Sequence, residues 1–128
     1  MDKTGENTAE HLKGARGQRR VWNALRYSVS GFMAAFRDEA AFRQLCWLNV
    51  VLLTAALWLD VSPVERAVLM LAPLLCLVVE LLNTAIENTV DRVSMAIHPL
   101  SKNAKDMGSA AQLVCLVLVF TVWSVILL

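Results

Sequence analysis

The sequence predicts an all-α membrane protein, an N-terminal amphipathic surface helix followed by three transmembrane helices. Three observations carry that prediction. Long apolar runs fill most of the chain after residue 43. The segment before them mixes apolar and polar residues with a helical period, and the middle apolar run is interrupted by polar side chains at helical spacing. In 128 residues that are 57% hydrophobic, with a mean hydropathy of +0.53, there is no room for a separate nucleotide-binding or catalytic domain. Any chemistry must be built on the apolar segments themselves.

Residues 1–19 are rich in Gly, Lys, Arg, Asn and Thr and poor in large apolar groups, the composition of a disordered cytoplasmic arm. They contain no apolar stretch that would make a cleavable signal peptide. From Arg20 to Arg43, Trp22, Leu25, Val29, Phe32 and Phe36 recur at three- and four-residue steps, with Arg26, Ser30, Arg37 and Asp38 between them. That is a helix with an aromatic-rich apolar face and basic flanks, which in a membrane protein lies in the interfacial plane.

Leu45 to Leu59 is an uncharged run of 15 residues, Ala67 to Ile86 is a run of 20 whose one charge is Glu80, and Met107 to Leu128 is a run of 22 with no charge. About 20 residues rising ~1.5 Å each cross a ~30 Å hydrocarbon layer. The second and third runs qualify directly. The first qualifies with Ala40, Ala41 and Phe42 on the near side and Arg43 snorkelling to the interface. The predicted spans are residues 42–59, 64–90 and 105–128.

The connections agree. Asp60-Val61-Ser62-Pro63 reads as a turn, with Ser62 capping the second span and Pro63 at its first position. His98-Pro99 interrupts the chain before the third span. Pro73 lies inside the second, where membrane helices tolerate it. Residues 1–43 hold eight Lys and Arg, the 60–66 loop only Arg66, and the 91–106 loop Arg92, Lys102 and Lys105. The positive-inside rule then places the N-terminus and the 91–106 loop in the cytoplasm. Cys46, Cys76 and Cys115 are odd in number and scattered among apolar residues, so they read as buried thiols rather than a disulfide framework or zinc site.

Glu80, Asn83, Glu87 and Asp91, spaced by three, four and four, fall on one stripe of the second span. Ionisable groups in a bilayer rarely face lipid and mark a functional site by default. Glu80 lies deepest. Low dielectric penalises a carboxylate's charged form and so suits it to accept a proton. Glu87 and Asp91, nearer the cytoplasmic interface, are suited to hold a divalent cation through oxygen. Glu39 and Lys105-Asp106 converge on the same level, and Met107-Gly108-Ser109-Ala110-Ala111 offers small residues for close helix approach. A polar seam that binds helices together is the structural alternative, best suited to Asn83. No GxxxxGK[ST], GxGxxG, HRD or DFG motif occurs. Read from these residues alone, ion or proton transport and membrane-embedded catalysis stand equal.

The stretches Val79-Glu80-Leu81-Leu82-Asn83-Thr84-Ala85-Ile86-Glu87-Asn88-Thr89-Val90-Asp91-Arg92 and Lys105-Asp106-Met107-Gly108-Ser109-Ala110-Ala111 resemble the bacterial integral-membrane diacylglycerol kinase family. Glu39-Ala40-Ala41-Phe42-Arg43-Gln44 and Trp58-Leu59-Asp60-Val61 agree in order and spacing, and the resemblance spans residues 20–128. It implies a homotrimer with shared active sites in the bacterial inner membrane. The implied activity is transfer of the γ-phosphate of ATP, with Mg2+, to diacylglycerol to give phosphatidic acid. Nucleic acid is not among the expected partners.

By position, the resemblance makes Glu80 the general base and Glu39 and Glu87 the metal-binding carboxylates. Arg20, Tyr27, Glu39, Asn83, Glu87, Asp91, His98, Lys105 and Asp106 become the ATP-site residues. Arg20, Arg43, Gln44, Trp58, Glu80 and Ser109 become the lipid-side residues. The chain departs from the familiar pattern at Val29-Ser30, Met33, Leu45 and Ala96-Ile97, all outside the stripe. The alternatives are the sister activity on undecaprenol and, from another class, a proton- or cation-coupled carrier.

Overall fold

The computed structural model describes the backbone of residues 4–128 and the side chains from Arg16 onward. Four helices follow one another: α1 (Thr4–Asp38), α2 (Ala40–Trp58), α3 (Pro63–Val93) and α4 (Pro99–Leu127). No strand occurs among the described residues. The last three helices are each long and apolar enough to cross a membrane. The predicted class, an N-terminal helix ahead of three apolar spans, is the observed one.

The chain divides into two compact units between Ala34 and Ala35. In the first unit the helical backbone begins at Thr4, well ahead of the boundary at Arg20 read from composition. Ala, Glu, Leu, Lys and Arg in residues 9–19 are strong helix formers, and extending an existing helix adds a hydrogen bond per residue without a new nucleus. Arg16, Arg19, Arg20, Asn23, Ala24 and Tyr27 line one shallow depression on this helix, walled mainly by the apolar parts of these side chains. Trp22, Leu25 and Val29 stand exposed.

The second unit opens with the last turn of α1 and a break at Glu39, whose extended backbone (φ −117°, ψ 111°) starts α2. The turn from surface helix to span therefore comes four residues before Arg43. Arg43 closes this corner: its Nη1 donates to the carbonyls of Phe36 and Arg37, both at 2.8 Å. These carbonyls lack intrahelical partners at the end of α1. The guanidinium is thus turned back on the chain, where it pairs with these two oxygens. Arg66 does the same for α2, donating to Ala56 O (2.5 Å), Leu57 O (2.9 Å) and Val61 O (3.4 Å).

The start of α3 follows its sequence signal. Ser62 accepts from the Glu65 backbone N–H at 3.2 Å, Glu65 Oε2 accepts from the Ser62 N–H at 3.1 Å, and Pro63 occupies the first turn. At the other end α3 continues through Asp91 and Arg92 to Val93, and α4 begins at Pro99 with His98 as its cap. The His98 Nδ1 accepts from the Leu100 N–H at 3.1 Å. The connection between α3 and α4 is therefore only residues 94–98, shorter than the 91–106 loop expected. The charged residues flanking it form solvated helical turns that prolong the apolar spans.

α3 is the middle element and packs against both α2 and α4. Leu45 of α2, Ala72 and Cys76 of α3, and Cys115 and Val119 of α4 form the core. The three cysteines are free thiols, Cys76 and Cys115 buried and Cys46 partly so. Pro73, fully buried in α3, removes one backbone donor from the helix interior. Two side chains from the flanking helices meet this break. Trp123 Nε1 of α4 donates to Leu69 O at 3.1 Å, and Asn49 Nδ2 of α2 donates to Pro73 O at 2.9 Å and to its own Leu45 O at 3.0 Å. Outward from this core, apolar side chains such as Trp47, Val51, Leu71, Val78, Leu113 and Phe120 are exposed, the surface that lipid or another subunit would cover.

Candidate active site

The buried face of α3 runs through Leu69, Ala72, Pro73, Cys76, Glu80, Asn83 and Thr84. Its upper part is apolar and its lower part polar, so the helix carries a packing stripe that turns into a chemical one. Glu80 is only 6% exposed, Asn83 9% and Thr84 8%. Glu87 and Asp91, one and two turns further on, are half-buried. Burial within the fold thus falls along the stripe from Glu80 and Asn83 to Glu87 and Asp91.

Glu80 lies within electrostatic reach of two other acids, Glu87 on its own helix and Glu39 at the start of α2. Glu39 is the first residue before α2, a position whose side chain commonly accepts a backbone hydrogen bond, yet it makes no such bond. Its carboxylate is therefore not consumed by capping. Like charges at this range disfavour one another's ionised form, and among the described residues the three do not close into a metal-ligand group.

The cationic partner comes from α4. Lys105 Nζ pairs with Asp91 Oδ1 at 2.5 Å, each side chain 41% exposed. Glu87 also acts on this ammonium. Lys102 and Asp106, both more exposed, pair along α4 at 2.5 Å. Such surface pairs contribute little to stability, so their interest is in how they aim the charges.

α4 can lie this close because of Gly108. A Cβ at this position would run into the Asn83 side-chain oxygen, with Asn83 Cγ at 3.2 Å and Asn83 Cα at 3.8 Å. The glycine in the small-residue segment thus seats the Asn83 amide against α4. Asn83 Oδ1 is buried there and receives no hydrogen bond from the described residues. The same is true of Gln112 Oε1, one turn further along α4, whose Nε2 makes a long contact of 3.5 Å with Cys76 O.

The structure thus brings together Glu39, Glu80, Asn83, Glu87, Asp91 and Lys105, with Asp106 beside them through Lys102. Ser109 and Gln44 are exposed on α4 and α2. His98 lies at the α3–α4 connection, in a shallow cleft with Asp91, Ser94, Lys102 and Lys105. Arg43 is engaged at the α1–α2 corner. Trp58, 86% exposed, ends α2 at the opposite side from Glu39, about 28 Å away along the helix. Arg20 and Tyr27 belong to the first unit and are exposed there. Thr84, Gln112, Asn49 and Trp123 were not singled out from the sequence. Thr84 stands beside Asn83 in the quoted motif and could have been; the other three become visible only once the helices are packed.

Residues 26–127 match the family of prokaryotic diacylglycerol kinases. The chain belongs to that family. A diacylglycerol kinase of Pseudomonas aeruginosa is 62% identical over 117 residues, 91% of this chain and 95% of the relative. Diacylglycerol kinases of Escherichia coli K12 and Haemophilus influenzae are 41% and 39% identical over 111 and 105 residues, covering 87% and 82% of this chain and 91% and 89% of theirs. Membership in the prokaryotic diacylglycerol kinases bears out the resemblance drawn from the two long motifs, and it displaces the carrier reading. The protein is a multi-pass membrane lipid kinase.

Proposed function

We propose that this lipid kinase transfers the γ-phosphate of ATP to the hydroxyl of diacylglycerol on the α3 stripe, with Glu80 as general base. The observation that carries the reading is a carboxylate buried to 6% exposure within an apolar span, within electrostatic reach of two further acids. In the reaction the diacylglycerol O–H bond breaks, its proton passes to a Glu80 carboxylate oxygen, and its oxygen forms a bond to the γ-phosphorus. The bond from that phosphorus to the bridging oxygen breaks, and ADP leaves with the electron pair. Phosphoryl transfer of this kind depends on positioning and charge neutralisation more than on covalent chemistry. A deep base meets the lipid alcohol, and shallower charges meet the nucleotide.

Glu39 and Glu87 would hold magnesium together with the ATP phosphates. Among the described residues no three His, Cys, Asp or Glu side chains form a closed ligand set. Magnesium is commonly bound through one or two carboxylates and completes its shell with phosphate oxygens and water, a role open to the Glu39 carboxylate, which makes no capping bond. When bound, the ion would neutralise charge on the transferring phosphate. Lys105, aimed by Asp91, would face the phosphates, with Arg20, Tyr27, Asn83, His98 and Asp106 as further nucleotide contacts. Asn83 Oδ1, buried without a donor, is available to a group that the substrate brings. Arg20, Arg43, Gln44, Trp58 and Ser109 would serve the lipid side.

The lysine and arginine distribution supports an N-terminus in the cytoplasm and a location in the bacterial inner membrane. The broad apolar surface around the α2–α3–α4 unit supports a homotrimer with shared sites. Mixing Glu39→Gln chains with Glu80→Gln chains should then restore turnover that neither has alone; a mixture as inactive as its components would remove the shared site.

Purified protein in mixed micelles, given γ-labelled ATP and diacylglycerol, should form labelled phosphatidic acid. Label passing preferentially to undecaprenol would reassign the substrate, and no labelled lipid at all would overturn the reading. Glu87→Gln should raise the magnesium concentration at half-maximal rate by roughly tenfold or more, since even indirect partners of a metal contribute about 10–100-fold. An unchanged magnesium requirement would take Glu87 out of the metal site.

A further inference from the structure

We propose that Trp123 is a positioning residue for the reaction: by donating to the α3 carbonyl that Pro73 leaves without a partner, it fixes the half of α3 that carries Glu80. The inference rests on the base role given to Glu80 above. Inside a helix each backbone N–H donates to the carbonyl four residues earlier, and a proline has no N–H to give. The carbonyl orphaned by Pro73 is that of Leu69. Leu69 is fully buried at 0% exposure, and in a hydrocarbon layer no water is present to pair with its oxygen. The indole N–H of Trp123, a group that can only donate, sits 3.1 Å from Leu69 O. It supplies from α4 the bond that α3 cannot make for itself.

The break is held from the other side as well. Asn49, 3% exposed on α2, donates to Pro73 O at 2.9 Å. The two halves of α3 are thus joined at Pro73 by one helix through Leu69 O and by the other through Pro73 O. Without these contacts the missing rung is where α3 would bend.

The position matters because of what lies beyond it. Pro73 and Glu80 are seven residues apart, on the same face and about 10 Å along the axis. A change of about 5° in the angle at Pro73 would swing the Glu80 carboxylate by about 1 Å, and misplacement of that size costs a reaction up to about 10²-fold. Asn83 and Asp91 lie farther along the same half, but both are tied to α4 through Gly108 and Lys105, so α4 would move with them and the contacts the two helices share would keep their mutual geometry. The signature of Trp123 should therefore be a loss of turnover with little change in the KM for ATP.

The test uses Pro73 as the switch. Alanine at position 73 restores the backbone N–H, so Leu69 O no longer needs the indole. Full-length Trp123→Phe, Pro73→Ala and the double variant are compared for kcat, KM for ATP and thermal midpoint. Trp123→Phe should lower kcat by about tenfold to a hundredfold and lower the midpoint, whereas in the Pro73→Ala background the same change should lower neither appreciably. An indole that only fills space would cost the same in both backgrounds, and that result overturns the proposal, as does a Trp123→Phe enzyme with wild-type kcat. Should Trp123→Phe fail to accumulate, accumulation of the double variant to the level of Pro73→Ala supports the hydrogen bond, and failure of both overturns it. A wild-type protein that phosphorylates no lipid removes the positioning role together with the function proposed. The midpoints then still distinguish a hydrogen bond, lost only when residue 73 is proline, from simple packing.

Discussion

Glu80→Gln should lose turnover by about 10²–10⁴-fold, the usual worth of a positioned general base, while its affinity for ATP stays nearly unchanged. The substitution keeps the shape of the side chain and removes its capacity to take a proton. Glu80 is walled in by α2 and α4 at 6% exposure, so water would not readily replace it. ATP affinity should survive because the groups proposed to hold the nucleotide lie two to three turns further on, at Glu87 and Asp91, and at Lys105 of α4 beside Asp91. Loss of one negative charge from the cluster with Glu39 and Glu87 should, if anything, tighten binding of the anionic nucleotide. Labelled-phosphate transfer gives kcat and equilibrium binding gives the affinity. Turnover above roughly a tenth of wild type would remove Glu80 from the base role.

Gly108→Ala should both weaken the fold and slow the enzyme. The added methyl would occupy the place of the Asn83 side-chain oxygen, and overpacking of this kind costs about 1–3 kcal/mol. Either the amide swings away from its buried seat or α4 retreats from α3, and a retreat would also separate Lys105 from Asp91. Removing the obstructing amide distinguishes this steric cause from a general intolerance. Asn83→Ala/Gly108→Ala should recover most of the thermal stability lost by Gly108→Ala, though not the activity, since the amide is then gone. A double variant no more stable than Gly108→Ala would mean that the crowding lies elsewhere.

Much of this molecule could be read from its residues because its strongest signals are local. The three spans follow from apolar length, and the start of α3 follows from Ser62, Pro63 and Glu65 within four positions. The stripe from Glu80 to Asp91 needed only the helical period, and Gly108 lay within a small-residue segment suited to close helix approach. Boundaries at water were harder. The break at Glu39 carries no Gly or Pro to announce it, and helical turns bearing Lys102, Lys105 and Asp106 prolong α4 beyond the apolar run that defined it. What could not be read was what one helix does for another. Arg43 looked like an anchor until its guanidinium met the carbonyls of Phe36 and Arg37. Trp123 and Asn49 lie within apolar runs whose spacing carries no signal of a partner. Their roles depend on Pro73 being placed between them, which is a property of the packed helices.

The two arginine-closed corners have a bearing on how this chain can be altered. None of the described residues adopts a left-handed backbone, so neither corner relies on glycine, and each depends instead on one forked cation gathering several carbonyl oxygens. A lysine lacks the fork by which Nη1 and Nη2 of Arg66 reach three carbonyls, and would have to bring its one ammonium to the place where Nη1 of Arg43 meets two. Engineers seeking a hardier enzyme should therefore leave positions 43 and 66 alone, and look for gains on the outward apolar surface, where no such bracket would be disturbed.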